Sequence, residues 1–244
     1  MFPTSRARMA LLVAAIIILP VLVATALRAQ AASPAVERMH AHLTALTNID
    51  YAVVRGDLDD VREMSKALLN ELSMDGLPTN AQKYLGDLKG AAREAGEATT
   101  IEAAARAVGM MSAACGACHA GLGTPIAMTA PARPPSISSV RARMLEHYYS
   151  VDMMGLGLQS PSDDLWKRGA DTMRKAQVMK VTMKDEALAR DLNEAEVAYK
   201  QIGVKASGAR TPAERAAVYG EVLTSCGNCH SLHGRVFGPG LPKL

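Results

Sequence analysis

A chain of 244 residues, 49% of them hydrophobic, is long enough to bury one large or two ordinary cores and is not a disordered tail. One Trp, six Tyr and two Phe set against abundant Ala, Leu and Met argue against an aromatic-rich sheet and for packed helices. The net charge of +3 comes from Arg6, Arg8 and Arg28 in the acid-free residues 1–31, so the remainder is balanced and carries no nucleic-acid footprint.

The N-terminus reads as a signal peptide over residues 1–31. Arg6 and Arg8 precede an uncharged run from Met9 to Leu27, and Ala29-Gln30-Ala31 supplies the small-x-small pattern for cleavage before Ala32. That run is long for a signal core and approaches the ~20 residues that span a bilayer, so an uncleaved anchor through residues 9–27 is the alternative. Both readings deliver the rest of the chain to the periplasm, free or tethered to the membrane and facing it.

The first predicted helix carries Met39, His42, Leu46, Ile49 and Val53, whose steps of three and four draw an apolar seam along one face. A second helix, about Leu58 to Leu72, begins with Asp59-Asp60 near its positive end. The third is expected over about Asn80 to Ala95. The fourth opens on Thr99-x-x-Glu102, read as a capping box, and runs into Cys115-Gly-Ala-Cys118-His119. Residues 121–139, with Pro125, Pro131, Pro134 and Pro135, make a linker.

Beyond the linker the pattern recurs. Met144, His147, Val151, Met154 and Leu158 repeat the seam at one constant displacement. Asp163-Asp164 open a helix expected over Ser162 to Gln177, a third covers about Met183 to Ala206, and Thr211-Pro212-x-Glu214 caps a fourth that ends in Cys226-Gly-Asn-Cys229-His230. The expected fold is all-α: two tandem four-helix bundles, residues 32–120 and residues 140–244 with a short tail. The halves differ where Tyr148 and Tyr149 follow His147 but Leu43 and Thr44 follow His42, so unequal sites are expected.

Four cysteines in an exported chain would ordinarily pair as disulfides. Here each pair is followed by a histidine, which neither a disulfide nor a redox-active dithiol requires. Zinc ribbons set their two pairs about 15–20 residues apart, far closer than these. Cys-x-x-Cys-His instead supplies two thiols for the vinyl groups of one haem and an imidazole for its iron. Cys115, Cys118, Cys226 and Cys229 are therefore expected to hold two haem c groups, with His119 and His230 as proximal ligands.

The seam offers His42 and His147 as distal ligands, and Met39 and Met144 one turn earlier as the alternative. Histidine is favoured because it is the costlier residue to bury without a partner. Plain readings stand beside these: a core histidine satisfied by a hydrogen bond, a methionine filling space, or an iron left open. His40 falls off the seam, and it and His233 carry no assignment.

A haem motif at the C-terminal end of the fourth helix of a small Ala-rich bundle resembles the cytochrome c prime family, the class II c-type cytochromes, over nearly all of residues 34–235. The resemblance implies a left-handed bundle with the distal haem face toward the first helix, where some members have no ligand and low-spin relatives supply methionine. His42 and His147 depart from both patterns. The segment after His230 also resembles class I cytochromes, whose proline carbonyl holds the proximal histidine, and this implies such a role for Pro239. In the first half Met128 of the linker is the corresponding methionine to check.

Six-coordinate haems in packed bundles would cycle between ferrous and ferric with little reorganisation, which makes the expected function electron transfer with periplasmic or membrane-bound redox partners, not enzyme catalysis. His/His ligation would give low potentials. An open distal face would favour a sensor of CO or NO, or a peroxidase with one open haem, although no distal acid–base group beyond the seam histidines is evident. Charged pairs such as Glu63 with Lys66 read as solvated helix faces.

Overall fold

Helix-forming composition and well-placed caps dictate the architecture. The computed structural model describes residues 34–124, 126–134, 140–176, 182 and 184–233, and the expected signal segment, Pro125, Pro135 and Pro239 lie outside them. Eight α-helices carry these residues, without a strand among them: α1 (Pro34–Arg55), α2 (Leu58–Glu71), α3 (Gln82–Glu97), α4 (Ile101–Gly121), α5 (Val140–Gln159), α6 (Asp163–Lys175), α7 (Glu186–Gly208) and α8 (Pro212–His233). A 3₁₀ turn, Thr79–Ala81, leads into α3. No described helix is long and apolar enough to cross a membrane.

The helix starts follow local capping chemistry. Asp57, Ser162 and Asp185 each accept a hydrogen bond from the backbone N–H three residues on, which opens α2, α6 and α7. The Asp185 cap starts α7 later than the expected Met183. At Thr211 the capping box is complete: Thr211 Oγ1 accepts from Glu214 N at 3.2 Å, and Glu214 Oε2 accepts from Thr211 N at 2.9 Å. The first box is corrected by one residue. Thr100, in extended backbone at φ −138°, accepts from Ala103 N, and so Thr100 rather than Thr99 caps α4. Thr100→Ala is expected to cost about 1 kcal/mol in denaturant unfolding and Thr99→Ala close to nothing.

By internal contacts the chain divides into Met1–Ala41 and His42–Leu244. The described part of the first is the opening of α1. In the second, one core joins what the sequence reads as two units: Ile49, Val53, Val108 and Met111 share it with Met154, Trp166, Met173 and Leu223. Helices α4 and α8 pack along each other, and small residues make this possible. A Cβ on Gly109 would overlap the Ala216 carbonyl, and one on Gly220 would stand 3.1 Å from Arg106 Cα. The two helices that end in Cys-x-x-Cys-His are thereby fixed against each other.

Candidate haem-attachment sites

Cys115, Cys118 and His119 lie at i, i+3 and i+4 of α4, on one face, as do Cys226, Cys229 and His230 on α8. All four cysteines are free, half-buried thiols. The first of each pair packs against the core. Burial, then the neighbouring thiol, pushes Cys115 and Cys226 up to about 12, and burial also raises Cys118 and Cys229. Nucleophilic dithiols are built the other way, with a depressed pKa in an electropositive setting. Burial therefore favours the protonated thiol at each position, the opposite of a thiol–disulfide exchange site.

Behind each motif runs the first helix of the opposite half. Gly116 meets the Leu158 carbonyl of α5, and Gly227 meets the Val53 carbonyl of α1, so closely that a Cβ at either glycine would overlap that oxygen. The close approach serves the histidine that follows. His119 Nδ1 lies 2.7 Å from the Gln159 carbonyl, and since a carbonyl only accepts, Nδ1 carries the proton. At His230 the backbone of Val54 likewise acts to raise the pKa, against a larger lowering by burial. Gln159 and Val54 are related by the displacement that relates the two seams. A proximal imidazole held by its Nδ1–H keeps Nε2 for a metal, with its orientation set by the carbonyl. The residues present fit a haem at each motif. The proposed role of Pro239 toward His230 falls on a residue outside the described ones.

The candidates for the sixth position differ between the halves. His42 is buried, 8% exposed, on α1. His147 on α5 lies close enough to His230 to depress its pKa electrostatically, although burial is the larger cause. Its ring stacks on Tyr199 with centroids 3.8 Å apart. Its Nε2 approaches Glu196 Oε1 at 3.2 Å but is not aligned for a hydrogen bond and has no other partner, so it is not a core histidine satisfied by hydrogen bonding. Met144 is half-buried on α5, and Met39 belongs to the N-terminal unit. Met128 packs against Tyr149, Met153 and Leu165, and His40 is exposed.

Glu196 and Tyr199 are functional neighbours the sequence did not flag. Glu196 is 5% exposed, and its Oε2 lies 3.6 Å from Arg143 Nε, while Arg143 also pairs with Glu146 at 2.8 Å. Tyr199 shares a 2.5 Å hydrogen bond with Ser150. Counted back from the cysteines, the corresponding residues of the first half are Leu85 and Leu88, both buried. Positions that are apolar in the first half thus carry an acid and a tyrosine in the second. Among the described residues no three His, Cys, Asp or Glu side chains gather as a zinc-type site would need.

No family model, curated protein or solved structure matches this chain.

Proposed function

We propose that this chain is a periplasmic two-haem c-type cytochrome that carries electrons, its halves being duplicated four-helix units of the cytochrome c prime type that exchange contacts through α1 and α5. The observation that carries this reading is that each Cys-x-x-Cys-His is backed, through its first glycine, by the first helix of the other half. In each half the motif ends a helix, and backbone at an equivalent position of the other half acts on its imidazole.

Haem bound at these motifs supplies a one-electron Fe(II)/Fe(III) couple. Cys115 with Cys118, and Cys226 with Cys229, hold the macrocycle edge through thioethers. His119 and His230 ligate through Nε2, and the carbonyl of Gln159 keeps the His119 ring from turning and strengthens it as a donor. His42 and His147 would supply a further iron ligand, with Met39 and Met144 as the alternative pair. Redox partners are proteins of the periplasm or the membrane surface.

The test is the visible spectrum of the purified protein, ferric and ferrous, with and without carbon monoxide, alongside its intact mass. Two covalent haems, low-spin ferrous bands and no change with carbon monoxide are expected. Carbon monoxide binding would leave the haems in place but transfer the reading to a gas sensor or a peroxidase-type enzyme.

A further inference from the structure

A small polar cavity of about 20 Å³ lies between α1, α5 and α8, lined by Thr47, Asp50, Tyr148, Asp152, Gln159 and Tyr219 among others. That is room for one water molecule. Tyr219 Oη donates to Asp50 Oδ2 at 3.1 Å. The other carboxyl oxygen, Asp50 Oδ1, is buried without a hydrogen-bond partner, and so is Gln159 Oε1. Both residues line the cavity, and an acceptor buried without a partner is satisfied by a water or, for Asp50, by a proton of its own. Gln159 is also the residue whose backbone carbonyl holds His119. Val54, which interacts with His230, lines the cavity as well, and of the two motifs it is the first, through Cys115, that stands within electrostatic reach of Asp50.

The geometry points to Asp50 as a proton acceptor linked to reduction of the first site. The inference rests on the two-haem reading. Its balance is simple: one electron arrives from a one-electron donor protein, iron passes from ferric to ferrous, and one proton from bulk water converts the Asp50 carboxylate to the acid. Oxidation returns the proton, so the net charge of the buried region is the same in both states.

Every group that acts on Asp50 supports this. Asp152 and Tyr148 face it from α5, Tyr219 from α8 and Cys115 from α4, and none of them is a cation. Burial foremost, then Asp152, pushes the Asp50 carboxyl up to about 8, although the Tyr219 hydrogen bond opposes the rise. An ordinary carboxylate is ionised throughout the physiological range and has no proton to exchange there. An added electron nearby raises this pKa further, so the proton binds on reduction and the potential falls as pH rises between the two pKa values.

Spectroelectrochemical titration of the holoprotein across neutral and alkaline pH tests the assignment. In the wild type one of the two midpoint potentials is expected to fall by up to tenfold in equilibrium constant per pH unit, about 59 mV, while the other stays flat. Asp50→Asn should flatten the first, and a carboxylic-acid carbonyl band in the reduced-minus-oxidised infrared spectrum should vanish with it. Tyr219→Phe removes the bond that holds the pKa down, so its sloping window should move to higher pH; this variant keeps the test open where Asp50→Asn does not fold. Two bound haems with flat potentials in the wild type, or an unchanged slope in Asp50→Asn, overturn the assignment and leave the haem reading standing. A chain that matures without haem overturns both.

Discussion

Cys226→Ser combined with Cys229→Ser is expected to yield a chain with one covalent haem instead of two, read as a mass lighter by one haem and a halved pyridine haemochrome. The prediction follows from each motif being complete in itself: both thiols and the proximal imidazole of a site come from a single turn of α4 or of α8. Serine cannot form the thioether, and the first site keeps Cys115, Cys118, His119 and the Gln159 carbonyl. Cys226 packs against the core, so the loss also reaches folding, and the shared core spreads it over both halves. Unfolding should stay a single transition at lower denaturant, not a split into one stable and one unstable half. Two haems in the double variant would refute the assignment of the cysteines.

Gly116→Val should be the most disruptive single substitution on the face of α4. Its side chain would have to occupy the space of the Leu158 carbonyl and approach Pro161, and backbone cannot yield as a flexible side chain can. Overpacking of this kind costs about 1–3 kcal/mol or more, and each kcal/mol lowers the melting temperature of a protein this size by about 2–4 °C. The stability loss should come with a spectral one. Moving α5 away from α4 lengthens the His119–Gln159 bond, which is 2.7 Å here, and the proximal imidazole then gains freedom to rotate. Ala117→Val, at the exposed neighbouring position of the same motif, is the control and should leave both properties near wild type.

The seam was readable because residues three and four apart can only share a face, and the structure buries Ile49, Val53, Met154 and Leu158 along it. Much else was not. Thr99 and Thr100 are adjacent and chemically equivalent as caps, so only the backbone angle distinguishes them. Val54 and Gln159 act through the main chain, which every residue possesses, and no side-chain pattern announces them. Glu196 and Tyr199 sit in a stretch, Glu194-Ala-Glu-Val-Ala-Tyr199, that looks like a solvated helix face; they are buried because α5 presents His147 and Ser150 to them. The pairing of α4 with α8 was hidden for a related reason. An Ala- and Gly-rich face looks the same whether it meets its own bundle or another.

In the proposed two-haem reading, Glu196 and Tyr199 at positions that correspond to Leu85 and Leu88 make the two ends of the carrier unequal. A duplicated molecule with identical ends would hold an electron equally well at either. Each end holds a buried acid, but in that reading Asp50 at the first takes up a proton on reduction, whereas Glu196 at the second shares Arg143 with Glu146, an arrangement that opposes added negative charge there. The molecule then has an uphill terminal, suited to receive from a strong donor, and a downhill terminal from which charge leaves for an acceptor. In that reading the second of two otherwise repeated ends is set apart by two positions of α7.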